Sequence, residues 1–230
     1  MAARQSAAGE DGRSRRSRAG LTREKILDAG IAFVDEHGIA ALSTRRLGAA
    51  LGVQGMTLYY YVPNKAALLD GMVERLLQRS VGELRPGADT PWADAMRDMA
   101  WALRATLLAH PGMLTVIATR PADTPESIGL LESGLAVLRG QGVPLGLAMD
   151  IINAVTVFVI GHTLAEVGQT PGYEGTEPDT DSFTVDPAAY PNFAEALATG
   201  AGLDFEARFK LVLDILIAGF TAAAKAKADG

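Results

Sequence analysis

The run Ser43-Thr44-Arg45-Arg46-Leu47-Gly48-Ala49-Ala50-Leu51-Gly52-Val53-Gln54-Gly55-Met56-Thr57-Leu58-Tyr59-Tyr60-Tyr61-Val62-Pro63-Asn64-Lys65 decides the fold of the first part of this 230-residue chain. Ser43 is a helix N-cap residue, and its side-chain oxygen can take one of the unpaired amides of a first turn running on through Ala50. Gly52 permits the sharp reversal that follows. A second short helix is predicted from about Gln54 to Tyr60, after which Pro63 and Asn64 break and re-cap the chain. Leu47, Leu51, Val53 and Leu58 are spaced to pack between the two helices. Two short helices crossed over a tight turn form a helix-turn-helix, an arrangement whose second helix fits the major groove of DNA. Any glycine-bearing corner between two helices shares part of this pattern, so the surrounding residues carry weight.

Working outward, Ile26, Leu27, Gly30, Phe33, Val34 and His37 recur at three- and four-residue spacing, which predicts a helix closed by Gly38. Beyond Asn64, the pairs Leu68-Leu69, Met72-Val73 and Leu76-Leu77 mark a longer helix that ends before Pro86-Gly87. Pro91 opens another, with Trp92, Met96, Met99, Leu103 and Leu107 on its buried face and Pro111-Gly112 at its end. Further helices are expected from Thr124 to Gly140, from Leu145 to Val167 and from Asp204 to about Ala224. Between the last two lies a Gly-, Pro-, Asp- and Thr-rich stretch, Thr170 to Asn192, which reads as a long loop able to gate a pocket. No strand pattern survives. The expectation is an all-α chain: an Ala/Arg/Ser/Gly-rich disordered basic arm over residues 1–19, a three-helix DNA-binding domain over 20–80, and a larger helical ligand-binding and dimerisation domain over 84–226.

Composition narrows the function classes. With no cysteine, thiol catalysis, disulfides and cysteine-based metal sites are excluded. Three scattered histidines and no glycine-rich phosphate loop supply no catalytic set, so an enzyme is not expected. The N-terminus lacks the apolar core of a secretory signal. The apolar stretch Ile151 to Gly161 is short, carries Asn153 and is flanked by Asp150 and His162, so no membrane span is expected and a cytoplasmic protein is the simplest reading. The net charge of −6 conceals an asymmetry: residues 1–81 carry +4 and residues 82–230 carry −10. A basic front and an acidic back suit a nucleic-acid-binding head on a body that avoids phosphate.

Residues 21 to about 77 resemble the DNA-binding domain of the tetracycline-repressor (TetR) family, through Ile26-Leu27-Asp28-Ala29-Gly30, His37-Gly38-Ile39, Leu42-Ser43-Thr44-Arg45, Leu51-Gly52-Val53, Thr57-Leu58-Tyr59 and Val62-Pro63-Asn64-Lys65-Ala66-Ala67-Leu68-Leu69. The second half resembles the ligand-binding domain of the tetracycline repressors through Trp92, Leu107-Leu108-Ala109-His110 and Thr119-Arg120-Pro121. The resemblance implies a homodimeric repressor on a palindromic operator in double-stranded DNA, released by a small organic ligand. It also implies DNA contacts. Thr44, Thr57, Tyr59 and Lys65 fall at phosphate-anchoring positions, and Arg45, Gly55, Met56 and Tyr61 fall where sequence is read. Gly55 leaves one reading position without a side chain, so an operator other than the tetracycline one is expected. Chemically, Thr and Tyr hydroxyls and a lysine suit phosphate oxygens, Met56 suits a thymine methyl, and Arg45 suits a guanine edge or a phosphate.

In the tetracycline repressors the resemblance places a magnesium-binding histidine where Val116 stands here, and Glu166 falls near an acid that in the family stands behind the metal's direct ligands. Val116 has no lone pair and a single carboxylate holds a metal poorly, so neither a metal nor another cofactor is expected. An organic molecule in a largely apolar pocket is expected instead. His110, Thr119, Arg120 and His162 are the polar candidates for that pocket. Each histidine equally suits a hydrogen-bonded structural role, and Arg120 equally suits an ion pair at the turn it occupies. The helices Leu145 to Val167 and Asp204 to Ala224 are apolar over more than one face, which a two-fold mate would bury.

Overall fold

The computed structural model describes residues 20–82, 84, 86–87, 89–120, 123–167 and 185–228. The arm over residues 1–19, Pro121 and most of the Thr170 to Asn192 stretch lie outside them. Among the described residues there are ten α-helices and no strand: α1 Arg23–His37, α2 Thr44–Ala50, α3 Gly55–Leu58, α4 Lys65–Ser80, α5 Trp92–Ala109, α6 Leu114–Thr119, α7 Pro125–Gly140, α8 Leu145–Val167, α9 Pro191–Thr199 and α10 Phe205–Ala228. The chain is all-α, as expected.

Two compact units form, one from residues 1–83 and 105–130, the other from 84–104 and 131–230. Residues 105–130 therefore cluster with the DNA-binding helices, whereas the sequence division placed them in the second domain. The reason is local. Gly112 backs onto α1 so closely that a Cβ would stand 2.8 Å from the carbonyl oxygen of Val34. His110 Nδ1 lies 2.7 Å from Asp35 Oδ2, and Arg120 Nε donates to Asp70.

In the first unit the caps stand where residue type places them. Thr22, Ser43 and Asn64 accept from the amides of Lys25, Arg46 and Ala67, starting α1, α2 and α4. Ile26, Leu27, Ile31, Leu47, Leu58, Leu68, Met72, Leu76, Leu107 and Met113 are all buried. Each such side chain contributes roughly 1.5–3 kcal/mol of transfer free energy. Gly52 between α2 and α3 has φ +68°, a conformation other side chains rarely adopt. The second short helix ends earlier than expected, at Leu58 rather than Tyr60. The Tyr60 and Tyr61 amides bond three residues back, to Thr57 and Leu58, and tighten the last turn. The short helix α6 and the turn Pro111–Met113 before it were not expected.

In the second unit, Gln141 ties the start of α5. Its Oε1 accepts from the Trp92 amide at 2.8 Å and its Nε2 donates to the Thr90 carbonyl. Helices α8 and α10 pack on one another through Ile151, Val155, Val159, Phe209, Leu213 and Ile217, all fully or almost fully buried. Helix α9 was missed. It starts at Pro191, inside the stretch read as a loop, and closes at Gly200 in the left-handed conformation (φ +70°). Helix α8, at 23 residues, is long and apolar by composition, and it packs on α10 within the second unit.

Candidate functional site

The two short helices cross at a pair of glycines. A Cβ on Gly48 would stand 2.9 Å from the Gly55 backbone, and one on Gly55 would stand 3.1 Å from Arg45 Cα and the Thr44 carbonyl oxygen. Gly55 therefore faces α2, and its small size serves the crossing. Behind it Leu47 and Leu58 have no accessible surface. The opposite face is open: Met56 is 75% exposed, Tyr60 is 88% exposed, and Gln54, Tyr59 and Arg45 are also exposed. Thr57 and Tyr61 are half-buried, and the Tyr60 and Tyr61 rings meet edge to face at 5.2 Å.

Three of the side chains expected to anchor phosphates already have partners. The hydroxyls of Thr44 and Tyr59 lie 3.4 Å apart, and Lys65 Nζ donates to the Leu42 carbonyl at 2.8 Å. These bonds hold Tyr59 against the start of α2 and Lys65 against the chain entering it. Arg45 makes no hydrogen bond or ion pair with the described residues. Thr44, Arg45, Gly55, Met56, Thr57, Tyr59 and Tyr61 thus gather on the α2–α3 corner, with Lys65 opening α4. Tyr60, the most exposed aromatic here, lies on the open face with Met56.

The sensing candidates divide between the two units. In the first, His110 faces Asp35, the Thr119 hydroxyl donates to the Thr115 carbonyl at 2.7 Å, and Val116 is buried. Arg120 pairs with Asp70, whose hydrogen bond raises the guanidinium pKa above its ordinary value. Of its two readings, the ion pair is the one realised among the described residues. In the second unit, Glu166 receives two hydrogen bonds from Arg104, at 3.1 Å from Nε and 2.6 Å from Nη2. That guanidinium is buried, standing 5.5 Å from the Trp101 ring centre and 5.1 Å from that of Phe209. His162 Nε2 donates to the Phe205 carbonyl at 3.0 Å, and its ring meets Phe158, Phe205 and Phe209. Arg104 was missed because a lone arginine on an otherwise apolar helix face gives no signal until its carboxylate, 62 residues on, is placed.

The magnesium of the tetracycline-repressor resemblance does not fit these residues. Val116 offers no donor atom at the histidine position, and both oxygens of Glu166 are taken by Arg104.

An open reading face on a closely crossed helix pair, joined to a second, acidic helical unit, defines a helix-turn-helix transcriptional regulator. Residues 26–72 match the family described as bacterial regulatory proteins, tetR family, and residues 85–224 match the tetracyclin repressor-like C-terminal domain. The chain is 32% identical over 206 residues to the tetracycline repressor protein class D of Escherichia coli, covering 87% of this chain and 89% of that one. A TetR-family regulator from Streptomyces coelicolor superposes with a TM-score of 0.72 at 31% identity, covering 87% of this chain and 99% of that one. The Streptomyces coelicolor protein ActR, in its complex with actinorhodin, gives 0.72 at 28% identity, over 89% of this chain and 98% of that one. The chain belongs to the TetR family of DNA-binding transcriptional repressors.

Proposed function

We propose that this repressor holds a palindromic operator as a homodimer and is released by an apolar or amphipathic organic molecule without a divalent metal. Arg45, Met56 and Tyr61 would meet base edges, and Thr44, Thr57, Tyr59 and Lys65 would meet phosphates, with Gly55 allowing the two helices to approach. The working site would be cytoplasmic, and the protein would catalyse no reaction.

The observation that carries the metal-independent reading is the Arg104–Glu166 pair. A magnesium ion at Glu166 would first have to displace a buried, bidentate guanidinium, and breaking such a pair leaves an uncompensated charge. The aromatic cluster of Trp101, Phe158, His162, Phe205 and Phe209 beside it supports a flat, largely apolar ligand. ActR, bound to actinorhodin, is a relative whose ligand is named in its structure. The ligand acts by preferring a state whose two reading helices no longer match major grooves about 34 Å apart.

The test is operator release measured by gel shift, with polycyclic aromatic ligands and with tetracycline, in magnesium and in excess chelator. Release by an aromatic ligand undiminished by chelator supports the reading. Release that requires magnesium, or tetracycline as the tightest ligand, overturns it.

A further inference from the structure

Helix α8 is apolar through its middle, and from Ile151 to Gly161 only Asn153 and Thr156 carry a hydrogen-bonding side chain. Their settings differ. Thr156 is half-buried, whereas Asn153 is exposed. Ile151 and Val155, two positions to either side of Asn153, have no accessible surface. Two residues turn a helix by roughly 200°, so Asn153 stands on the side of α8 opposite the protomer's own core. Gly146, Val157 and Gly161 lie along that same side, all of them exposed and none able to hydrogen-bond through a side chain. The Asn153 amide itself makes no hydrogen bond with the described residues.

Asparagine forms helix less readily than alanine or leucine, so helix propensity does not explain its place in this apolar run. Water solvates the amide only while the face is open. Once a second copy covers it, the amide needs a partner. The open side of α10 supplies none: Leu203, Ala207, Leu211 and Ile215 follow at four-residue steps, all exposed and all apolar. Lys210 and Asp214 at its edge are already paired with each other at 2.7 Å. Asp150, a turn before Asn153, is exposed, but its carboxylate only accepts. An amide both donates and accepts, so its full complement on this surface is the same amide. A two-fold axis brings a residue against its own copy only where the axis passes.

We infer that Asn153 lies at the two-fold axis of the dimer, where its amide exchanges hydrogen bonds with Asn153 of a second copy and makes the interface select its own kind. The inference rests on the homodimer reading above and adds what sets its register and partner choice. One polar pair in an apolar seam holds register, since any slip along the helix leaves both amides buried without partners. A related helical chain with an aliphatic residue in this place would strand the Asn153 amide in the same way, and the mixed dimer is disfavoured.

The chain has no cysteine, so Asn153→Cys introduces a single thiol per protomer. A disulfide needs Cα atoms about 4.4–6.8 Å apart, which two copies of one residue reach only beside the axis. Under mild oxidation with diamide, Asn153→Cys should run as a covalent dimer on a non-reducing gel and return to monomer with dithiothreitol. Ala165→Cys is the control, exposed on the same helix about 18 Å further along, and it should stay uncrosslinked. A second variant, Asn153→Leu, is mixed with differently tagged wild type and left to exchange subunits. Mixed dimers should then fall well below the roughly one half that random exchange gives, because each carries an unpaired amide. An Asn153→Cys protein that is dimeric by light scattering yet forms no covalent dimer overturns the inference alone, as does cross-linking at Ala165→Cys in its place. Free mixing of Asn153→Leu with wild type also overturns it. A wild-type chain that is monomeric at micromolar concentration overturns the homodimer reading itself, and this inference with it.

Discussion

Met56 and Gly48 show two kinds of work that single residues do in one corner. Met56 projects from α3 with three-quarters of its surface exposed and touches nothing the fold needs. Met56→Ala should therefore leave the melting temperature unchanged. It should weaken the selected operator by roughly 1 kcal/mol, about fivefold, and relax preference at one base pair where a thymine methyl is lost. Equal weakening on every base-pair variant would remove Met56 from the reading set. Gly48 has the opposite profile, since its Cβ would press on backbone atoms of Gly55 that cannot swing aside. Gly48→Ala gains up to about 1 kcal/mol of helix propensity but forces the two helices apart, at a cost of roughly 1–3 kcal/mol. The clash wins, so the variant should melt lower and lose operator affinity together. A melt at or above wild type would mean that the crossing is looser than it stands here. For Tyr59, whose hydroxyl meets Thr44 and faces outward, Tyr59→Phe should weaken operator and scrambled DNA alike, by about 0.5–1.5 kcal/mol.

At the scale of elements, α1 and α4 are joined at their polar edge by Asp28, and the hydrogen bond from Arg75 is the leading reason its carboxyl pKa lies below the ordinary value. A depressed carboxyl pKa adds stability above the unfolded-state pKa, and that stability is lost as pH falls through the folded-state value. Asp28→Asn should therefore melt lower than wild type at neutral pH, and the two melts should converge as pH drops below about 4. The carboxylate is about a third exposed, so the neutral-pH difference should be at most about 1 kcal/mol, a few degrees. A constant difference from pH 7 to pH 3 would exclude the ion pair as its source. How far such elements were legible depended on how locally each is specified. α1, α2, α4, α7 and α10 carry side-chain caps of their own, α5 and α8 carry long apolar patterns, and the bounds of all seven fell close to the expected ones. α6 and α9 did not. Leu114–Thr119 is too short to show a period, and Pro191–Thr199 begins on a proline that also reads as a loop signal. The reading corner was legible because its turn, cap and hydroxyls are contiguous. The environment of Glu166 was not, because its partner Arg104 comes from a distant helix. Gly55 shows a subtler gap: sequence revealed the missing side chain, but only the crossing geometry shows which way a side chain would have pointed.

On the scale of the whole molecule, the apolar length of α8 needs a partner surface, because the second unit buries only one side of it. Asn153, Val157, Gly161 and Ala165 follow at four-residue steps along an open line of α8, with Val157 70% exposed. On α10, Leu211 and Ile215 are 60% and 61% exposed, while Leu213 and Ile217, each two residues further on, are buried in the unit's own core. Each helix thus has one face spent inside the protomer and another, small or aliphatic, left for a second copy. A two-fold axis would bring the open faces together as a four-helix bundle. This arrangement also accounts for a helix of membrane-spanning length in a DNA-binding protein: its second apolar face meets protein. Ile215→Glu tests the assignment better than a change at a core position, because the side chain makes no use of the protomer's interior. Carboxylates at this position would be buried without partners in the dimer yet solvated in the monomer. The variant should keep its helical circular dichroism and run as a monomer at micromolar concentration, where wild type runs as a dimer. It should also lose operator binding by far more than a phosphate contact is worth, because a single reading corner cannot span two half-sites. Asp214, beside it, pairs with Lys210 and Arg97 and serves as the control: Asp214→Asn should leave the dimer intact. An Ile215→Glu protein that stays dimeric at full operator affinity would move the interface to another face of the second unit.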